Sequence, residues 1–297
     1  MQELSEKRLV KLEYDKSIVA NGQRAYLPHP IFQSTLFAAT RVRQNGEYRK
    51  NALTIVHENQ FGDSVTIFAP RTLFVSPDMS VFLATVACAQ KAGYYALVDP
   101  MTGKPEPILK SEFPLSWLYE LTGTSSQGKG WYQLRSSLEA LGQVGITIKY
   151  NMTEENMKRH GRAMFAVDSF WRVFIEKRKG RNGSLVRLYP SPVLFPENYY
   201  LWADAELCSK LKRDTAKGIF WQLICREHLT GTVEKWRKWL NAGEEREVKV
   251  WKSRCLMPAL EELAEYGYQV KENGDEITVK RPGAEKKRLP KPKPKDK

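Results

Sequence analysis

The clearest run of apolar positions at helical spacing begins at Pro77, where Met79, Phe82, Leu83, Val86 and Ala87 recur every three to four residues. Ser76-Pro77-Asp78 stands at its start, with proline in the first turn, where its missing amide hydrogen costs least. The pattern predicts a buried helix ending before Gly93. After a turn at Pro100 to Gly103, a short extended piece around Ile108 to Phe113 leads into a second helix, from Pro114 or Ser116 to Leu121. Leu115, Leu118 and Leu121 share one side of it. Gly123 to Gly128 is a polar loop, and a third helix follows from about Lys129 to Gly142 with Trp131, Leu134, Leu138 and Leu141 in one stripe. Two helices around a polar turn make a helix-turn-helix candidate.

The period then changes from helix to strand. Val144 to Tyr150 alternates β-branched residues, Ala163 to Glu176 is strand-rich, and Lys177 to Gly183 turns the chain into Leu185 to Tyr189. A β-hairpin after the third helix is what a winged helix requires. Pro190, Pro192 and Pro196 punctuate a boundary, after which the same order returns without obvious sequence identity. A short strand (Tyr199 to Trp202) precedes a long helix from about Lys212 to His228, a shorter helix (Val233 to Leu240) and a long helix from about Glu245 to Tyr266. A hairpin around Asn273-Gly274-Asp275 closes the order. The expected fold class is α+β, two tandem winged-helix (helix-turn-helix) domains. Residues 71–192 form the first and 193–282 the second, with an N-terminal extension of unassigned role over 1–70 and a basic, disordered Lys/Pro tail over 283–297.

The inward stripes fix what faces out. In the helix near Lys129, the residues Lys129, Tyr132, Gln133 and Ser136 lie opposite the apolar stripe, with Arg135 on its flank. In the long helix of the second half, Val248, Trp251, Cys255, Ala259, Leu260 and Leu263 point inward. Arg246, Val250, Ser253 and Arg254 face out, with Lys249 beside them and Lys252 at the apolar margin. That helix is basic in its first half and acidic in its second (Glu261, Glu262, Glu265), an order the helix dipole disfavours. An approaching phosphate backbone gives the early cations a reason; a solvated amphipathic face is the plain alternative. Pro258 is expected to kink the helix. The hairpin tips add Lys177, Arg178, Lys179 and Arg181 in one turn, and Lys271, Lys280 and Arg281 beside the other. Such side chains supply phosphate contacts and partners for base edges, although a charged turn is common on any soluble protein.

Charge sharpens this picture. The 297 residues carry 47 Lys/Arg and 34 Asp/Glu, a formal excess of +13. Nine cations and two acids between Lys280 and Lys297 account for +7 of it and leave +6 for the rest. The Lys-Pro alternation from Leu289 to Lys295 keeps that tail extended and solvated. With 42% hydrophobic residues and eight Trp, the remainder can bury real cores. No run of about 18 uncharged apolar residues occurs, and Met1 to Lys16 is too charged for a signal peptide, so a cytosolic protein, with no membrane partner, is expected.

Enzyme chemistry finds little support. The four histidines (29, 57, 160 and 228) form no closely spaced ligand pair, and neither a phosphate-binding Gly-rich loop of the right spacing nor a serine-nucleophile elbow occurs. Thr122 to Lys129 has a superficial likeness to a phosphate loop, but sits between two helices. Cys88, Cys208, Cys225 and Cys255 lie tens of residues apart without a Cys-x-x-Cys pair, which points to reduced core thiols rather than a zinc site or disulfides. No enzyme activity, metal or cofactor is expected.

Some stretches are similar to a known family. Leu201-Trp-Ala-Asp-Ala-Glu206 leading into Asp214 to Leu223, then Val250 to Leu263, Gly267 to Val270 and Ile277 to Pro282 resemble plasmid replication initiators that bind iterons, particularly the IncQ and IncP (TrfA-type) initiators. Trp117 to Gly123 with Leu134 to Leu141 looks similar in the first half. The resemblance covers roughly residues 76 to 282 and is one of order and spacing. It implies two winged helices that each place a helix in a major groove of directly repeated double-stranded origin sites and help to open an adjacent AT-rich segment. It further implies recruitment of host initiator and replicative helicase, a dimer–monomer switch, and a role in plasmid copy control, in a bacterial cytoplasm. A winged-helix repressor, of its own gene or of another, and an origin-nicking nuclease or relaxase are the alternatives.

On this expectation the tail adds sequence-independent attraction to phosphates. Deleting residues 283–297 is expected to lower affinity for all duplexes alike and flatten its salt dependence while leaving the preference among sites intact, as measured by fluorescence anisotropy against specific and unrelated duplexes. Loss of that preference would show that the tail reads sequence.

Overall fold

The computed structural model describes residues 9–11, 23–28, 31, 36–39, 53–58, 64–98, 105–150, 164–177, 183–191, 194, 200–242 and 247–282. Among them, short strands come first: β1 (Leu9–Lys11), β2 (Arg24–Pro28), β3 (Phe37–Ala38), β4 (Leu53–Glu58), β5 (Ser64–Ala69) and β6 (Leu73–Phe74). A wide turn over Val75–Met79 opens α1 (Ser80–Ala92), which is followed by β7 (Tyr95–Val98) and β8 (Pro105–Pro114). Residues 80–90 of α1 are buried all round, polar Ser80, Thr85 and Gln90 included, so this helix forms the central rod of the molecule rather than an amphipathic surface helix.

Two units of like construction are built against that rod. In the first, β8 leads into α2 (Leu115–Thr122) and α3 (Gly128–Gly142). After β9 (Gly145–Tyr150) and β10 (Met164–Ser169) come the paired strands β11 (Trp171–Lys177) and β12 (Ser184–Pro190). β12 lies between β11 and β8, all antiparallel, within a sheet of order β1-β7-β8-β12-β11. The strand-rich stretch is thus two strands, broken at the buried Phe170, where the chain leaves the sheet β10-β9-β5-β4 for the other.

The second unit follows β13 (Tyr200–Asp204) and α4 (Ala205–Lys210). It runs α5 (Asp214–Ile224), β14 (His228–Thr232), α6 (Val233–Trp239), α7 (Val248–Trp251), a wide turn over Lys252–Leu256, α8 (Met257–Glu265), β15 (Gln269–Asn273) and β16 (Glu276–Lys280). Its sheet has the order β14-β16-β15. In both units the last strand of the hairpin therefore sits between its hairpin partner and the strand that precedes the second helix.

The helix expected to run to His228 is corrected: α5 stops at Ile224, and residues 228–232 form a strand. β16 draws them out by full antiparallel pairing, with the Thr230 and Thr278 hydroxyls 2.8 Å apart across the ladder. Gly231 is required there, because a Cβ would come within 2.6 Å of the Trp239 ring. The kink expected at Pro258 takes the form of the wide turn just before it, in which the Met257 amide reaches back five residues to the Lys252 carbonyl. The added residue moves the inward stripe from Trp251 to Leu256, which is fully buried, while Cys255 is only partly so.

The described strands of the first 70 residues are hydrogen-bonded into both halves. β5 pairs with β9 of the first unit, and β2 pairs with β13 ahead of the second. Ala39 donates its amide to the Leu240 carbonyl, and its Cβ lies where Gly218 of α5 leaves room; a Cβ on Gly218 would approach it to 2.8 Å. Buried hydrophobic residues from Ala25 to Val279 consequently form one continuous cluster.

Asp78 ties the first unit together. Its carboxylate is fully buried, accepts two hydrogen bonds of 2.7 Å from the Arg71 guanidinium, one from the Phe74 amide at 2.9 Å and one from the Ser137 hydroxyl of α3 at 2.6 Å. Removing one partner of such a buried pair costs about 3–5 kcal/mol, because the other charge is stranded. Asp78→Ala is therefore expected to lower unfolding free energy by about that amount in urea titrations, and Ser137→Ala by only about 1 kcal/mol. Equal effects would mean that the ion pair is not what matters there.

Candidate nucleic-acid interface

Each unit exposes one face of its third helix. In α3, the buried residues Leu134, Ser137, Leu138 and Leu141 set the inner side and Trp131 packs on the core margin, leaving Lys129, Tyr132, Arg135 and Ser136 exposed and Gln133 half-buried. Tyr132 is 68% exposed, unusual for a large aromatic ring. Arg135 is held by Glu139 one turn on, at 2.7 Å, in an exposed i,i+4 pair. Such a pair is weakly bound, so this guanidinium can exchange its partner readily.

In the second unit, Lys249, Ser253 and Arg254 are exposed on α7 and the wide turn. Lys252 reaches Glu272 of β15 at 3.4 Å, and the Ser253 hydroxyl donates to the Val250 carbonyl at 3.2 Å, which leaves its oxygen free to accept. Neither Lys249 nor Arg254 has a carboxylate partner among the described residues. Arg281 is placed differently from an open hairpin cation. Its guanidinium donates to the Ile224 carbonyl at 3.0 Å and its amide to the Glu227 carbonyl, closing the C-terminal end of α5. Lys280, half-buried, sits at the end of β16. Arg178, Lys179, Arg181, Arg246 and the tail over 283–297 lie outside the described residues.

Sequence reasoning missed one feature at this surface. A groove of about 480 Å³ opens beside Arg254, against the start of α5, where Lys212 and Arg213 stand with Asp214 and Thr215. Glu262 of α8 accepts the amides of both Lys212 and Arg213, fixing that stretch against the helix that carries Arg254. The adjacent cations Lys212-Arg213 were visible in the sequence, but no spacing rule links them to position 254.

None of the four cysteines is in a disulfide, and Cys88 and Cys208 are buried. No group of His, Cys, Asp and Glu suited to a metal ion occurs among the described residues. No helix among them is long and apolar enough to cross a membrane.

The fold is a mixed helix-and-sheet one with two units of matching strand order. No family model and no curated protein matches the sequence. Among solved structures, the chain is similar to domains 2 and 3 of RctB as a selenomethionine derivative, with TM-score 0.48 and 12% identity over 82% of this chain and 94% of that one. A second structure of RctB domains 2–3 gives TM-score 0.48 and 13% identity over 85% and 96%. The Pi initiator protein in complex with iteron DNA gives 0.36 and 11% over 57% and 79%.

Burial gives Cys88 and Tyr268 a pH signature. Desolvation pushes Cys88 from 9.0 up to about 12, against the charge of Lys91, and Tyr268 from 10.0 up to about 12, against that of Arg281. The unfolded chain releases these protons first, so the native state loses stability as pH rises from about 9 to about 12. The urea midpoint is expected to fall over that range, and Cys88 and Cys208 to resist thiol reagents at pH 8 until the protein unfolds. Rapid labelling of either native thiol would contradict this.

Proposed function

We propose that the chain is a sequence-specific double-stranded DNA-binding protein that initiates replication from directly repeated origin sites, through two winged-helix units. The observation that carries this reading is the repetition. Two units share the strand order in which the hairpin packs back on the strand before the second helix, and each turns outward the polar, cationic side of its third helix. Lys249, Ser253 and Arg254 would face one major groove, and Lys129, Tyr132, Gln133, Arg135 and Ser136 the other, with Lys252 able to leave Glu272 for a phosphate. Lys and Arg match guanine edges and phosphates, while Ser and Gln both donate and accept. The residue pattern shared with iteron-binding initiators, over Leu201 to Glu206 and Val250 to Leu263, supports initiation over other uses of the fold.

The proposed role is not enzymatic. DNA binding at the repeats assists opening of an adjacent AT-rich segment and brings host initiator and helicase to it, under control of a dimer–monomer switch.

Footprinting on the DNA flanking the gene tests this directly. Protection of direct repeats beside an AT-rich run is the expected result. Protection of one inverted repeat over a promoter would make the protein a repressor, and metal-dependent nicking of supercoiled origin DNA would make it a nuclease. Lys249→Ala and Arg254→Ala are each expected to cost about 1–3 kcal/mol in binding to the repeats if they read bases, with unchanged unfolding midpoints because both side chains are exposed.

A further inference from the structure

We infer that the groove between the start of α5 and the wide turn of the α7–α8 helix seats a phosphate of the DNA backbone, alongside the groove-reading face of that helix. The inference rests on the DNA-binding reading and adds to it a contact made by another helix. Three cations, Lys212, Arg213 and Arg254, line the groove against one carboxylate, Asp214. Lys212 and Arg213 are exposed, and none of the three cations has an ion-pair partner among the described residues. Arg135, Lys252 and Lys210, by contrast, are matched by Glu139, Glu272 and Glu206, while Lys249 beside the groove is, like its three cations, without a carboxylate among the described residues. Concentrated positive charge left unmatched in a concave site attracts an anion, and the walls raise the local field. Thr215 and Ser76 add hydroxyls to the lining, the second from the turn that opens α1.

The cations are also held in place. The Glu262 carboxylate fixes the backbone of 212–213, so the two side chains start from a rigid base rather than a free loop. Further along α5, behind the groove, Lys217 is buried and donates to the hydroxyls of Ser76, which lines the groove, at 3.0 Å and of Ser80 at 3.3 Å. The groove is thus assembled across the contact between α5 and the start of α1, and a phosphate seated in it lies against both. A backbone contact of this kind sets the register of the reading helix without itself reading sequence.

The test is the salt dependence of duplex binding by the full chain and by the double variant Lys212→Ala/Arg213→Ala. Each phosphate contact contributes about 0.9 to the slope of log K against log salt, so the variant's slope should be shallower by about 1–2, with equal fractional losses on repeat and unrelated duplexes. Lys212→Arg/Arg213→Lys should restore it. Arg254→Ala that weakens binding while the double variant keeps the full slope overturns the groove and leaves the DNA reading standing. A wild-type chain that binds no duplex overturns both. A full slope in the double variant, together with a thermal stabilisation of wild type by inorganic phosphate that the variant lacks, assigns the groove to a free anion and also overturns the proposal.

Discussion

A single buried carboxylate sets the geometry on which the other parts depend. Asp78 has no access to water and satisfies its oxygens with the Arg71 guanidinium, the Phe74 amide and the Ser137 hydroxyl. A charge in that position is tolerable only when paired and fully hydrogen-bonded. Its partners come from the strand leading into α1 and from the buried side of α3, so one group fixes the helix that presents Tyr132 relative to the central rod. The directional requirement matters more than the net energy, since an apolar substitute of the same shape could pack the space without specifying the angle.

The stretch just around Asp78 is also where the second unit attaches. Lys217 hydrogen-bonds to Ser76 and Ser80, and Cys208 lies 3.6 Å from the Ser80 hydroxyl. Further along the same rod, the Gln90 side chain makes a two-way pair with the backbone of Tyr26, at 2.9 and 2.6 Å, which positions β2 and, through its ladder, β13. Segments far apart in sequence therefore meet on α1, which explains why every residue from 80 to 90 is buried. Phe37, Phe82 and Trp221, from three separate segments, meet in the same core, Phe37 tilted against Phe82 and edge-on to Trp221.

This is also why parts of the fold were legible in the sequence and others were not. The stripe of Leu134, Leu138 and Leu141 needs only the helical period, and the exposed face of α3 follows from it. Strand β14 was hidden because His-Leu-Thr-Gly-Thr has no strong local pattern; its partner β16 lies some fifty residues later. Leu256 escaped because one added residue in the turn before Pro258 breaks the 3.6-residue spacing that pointed to Cys255. Asp78 looked like an ordinary acid in a first helical turn, since nothing local announces that Ser137 will reach it from 59 residues away. Lys212 and Arg213 were passed over for the same reason: their relation to Arg254 exists only across the α5–α8 contact.

The charge order of the last long helix acquires a physical account in the structure. Cations early and acids late oppose the helix dipole, and each half has a separate employment. Glu262, late in the helix, accepts the amides of Lys212 and Arg213 just ahead of α5, whose N-terminal end favours a negative neighbour. The acid thereby stabilises a second helix at the point where it meets the first. Of the early cations among the described residues, only Lys252 has a carboxylate, Glu272 of the adjacent hairpin. Lys249 and Arg254 remain without one, and so do the two cations that Glu262 holds by their backbone amides. An acid that binds backbone rather than side chain anchors positive groups without pairing with them, and this arrangement fixes the backbone of Lys212 and Arg213 while their side chains stay exposed.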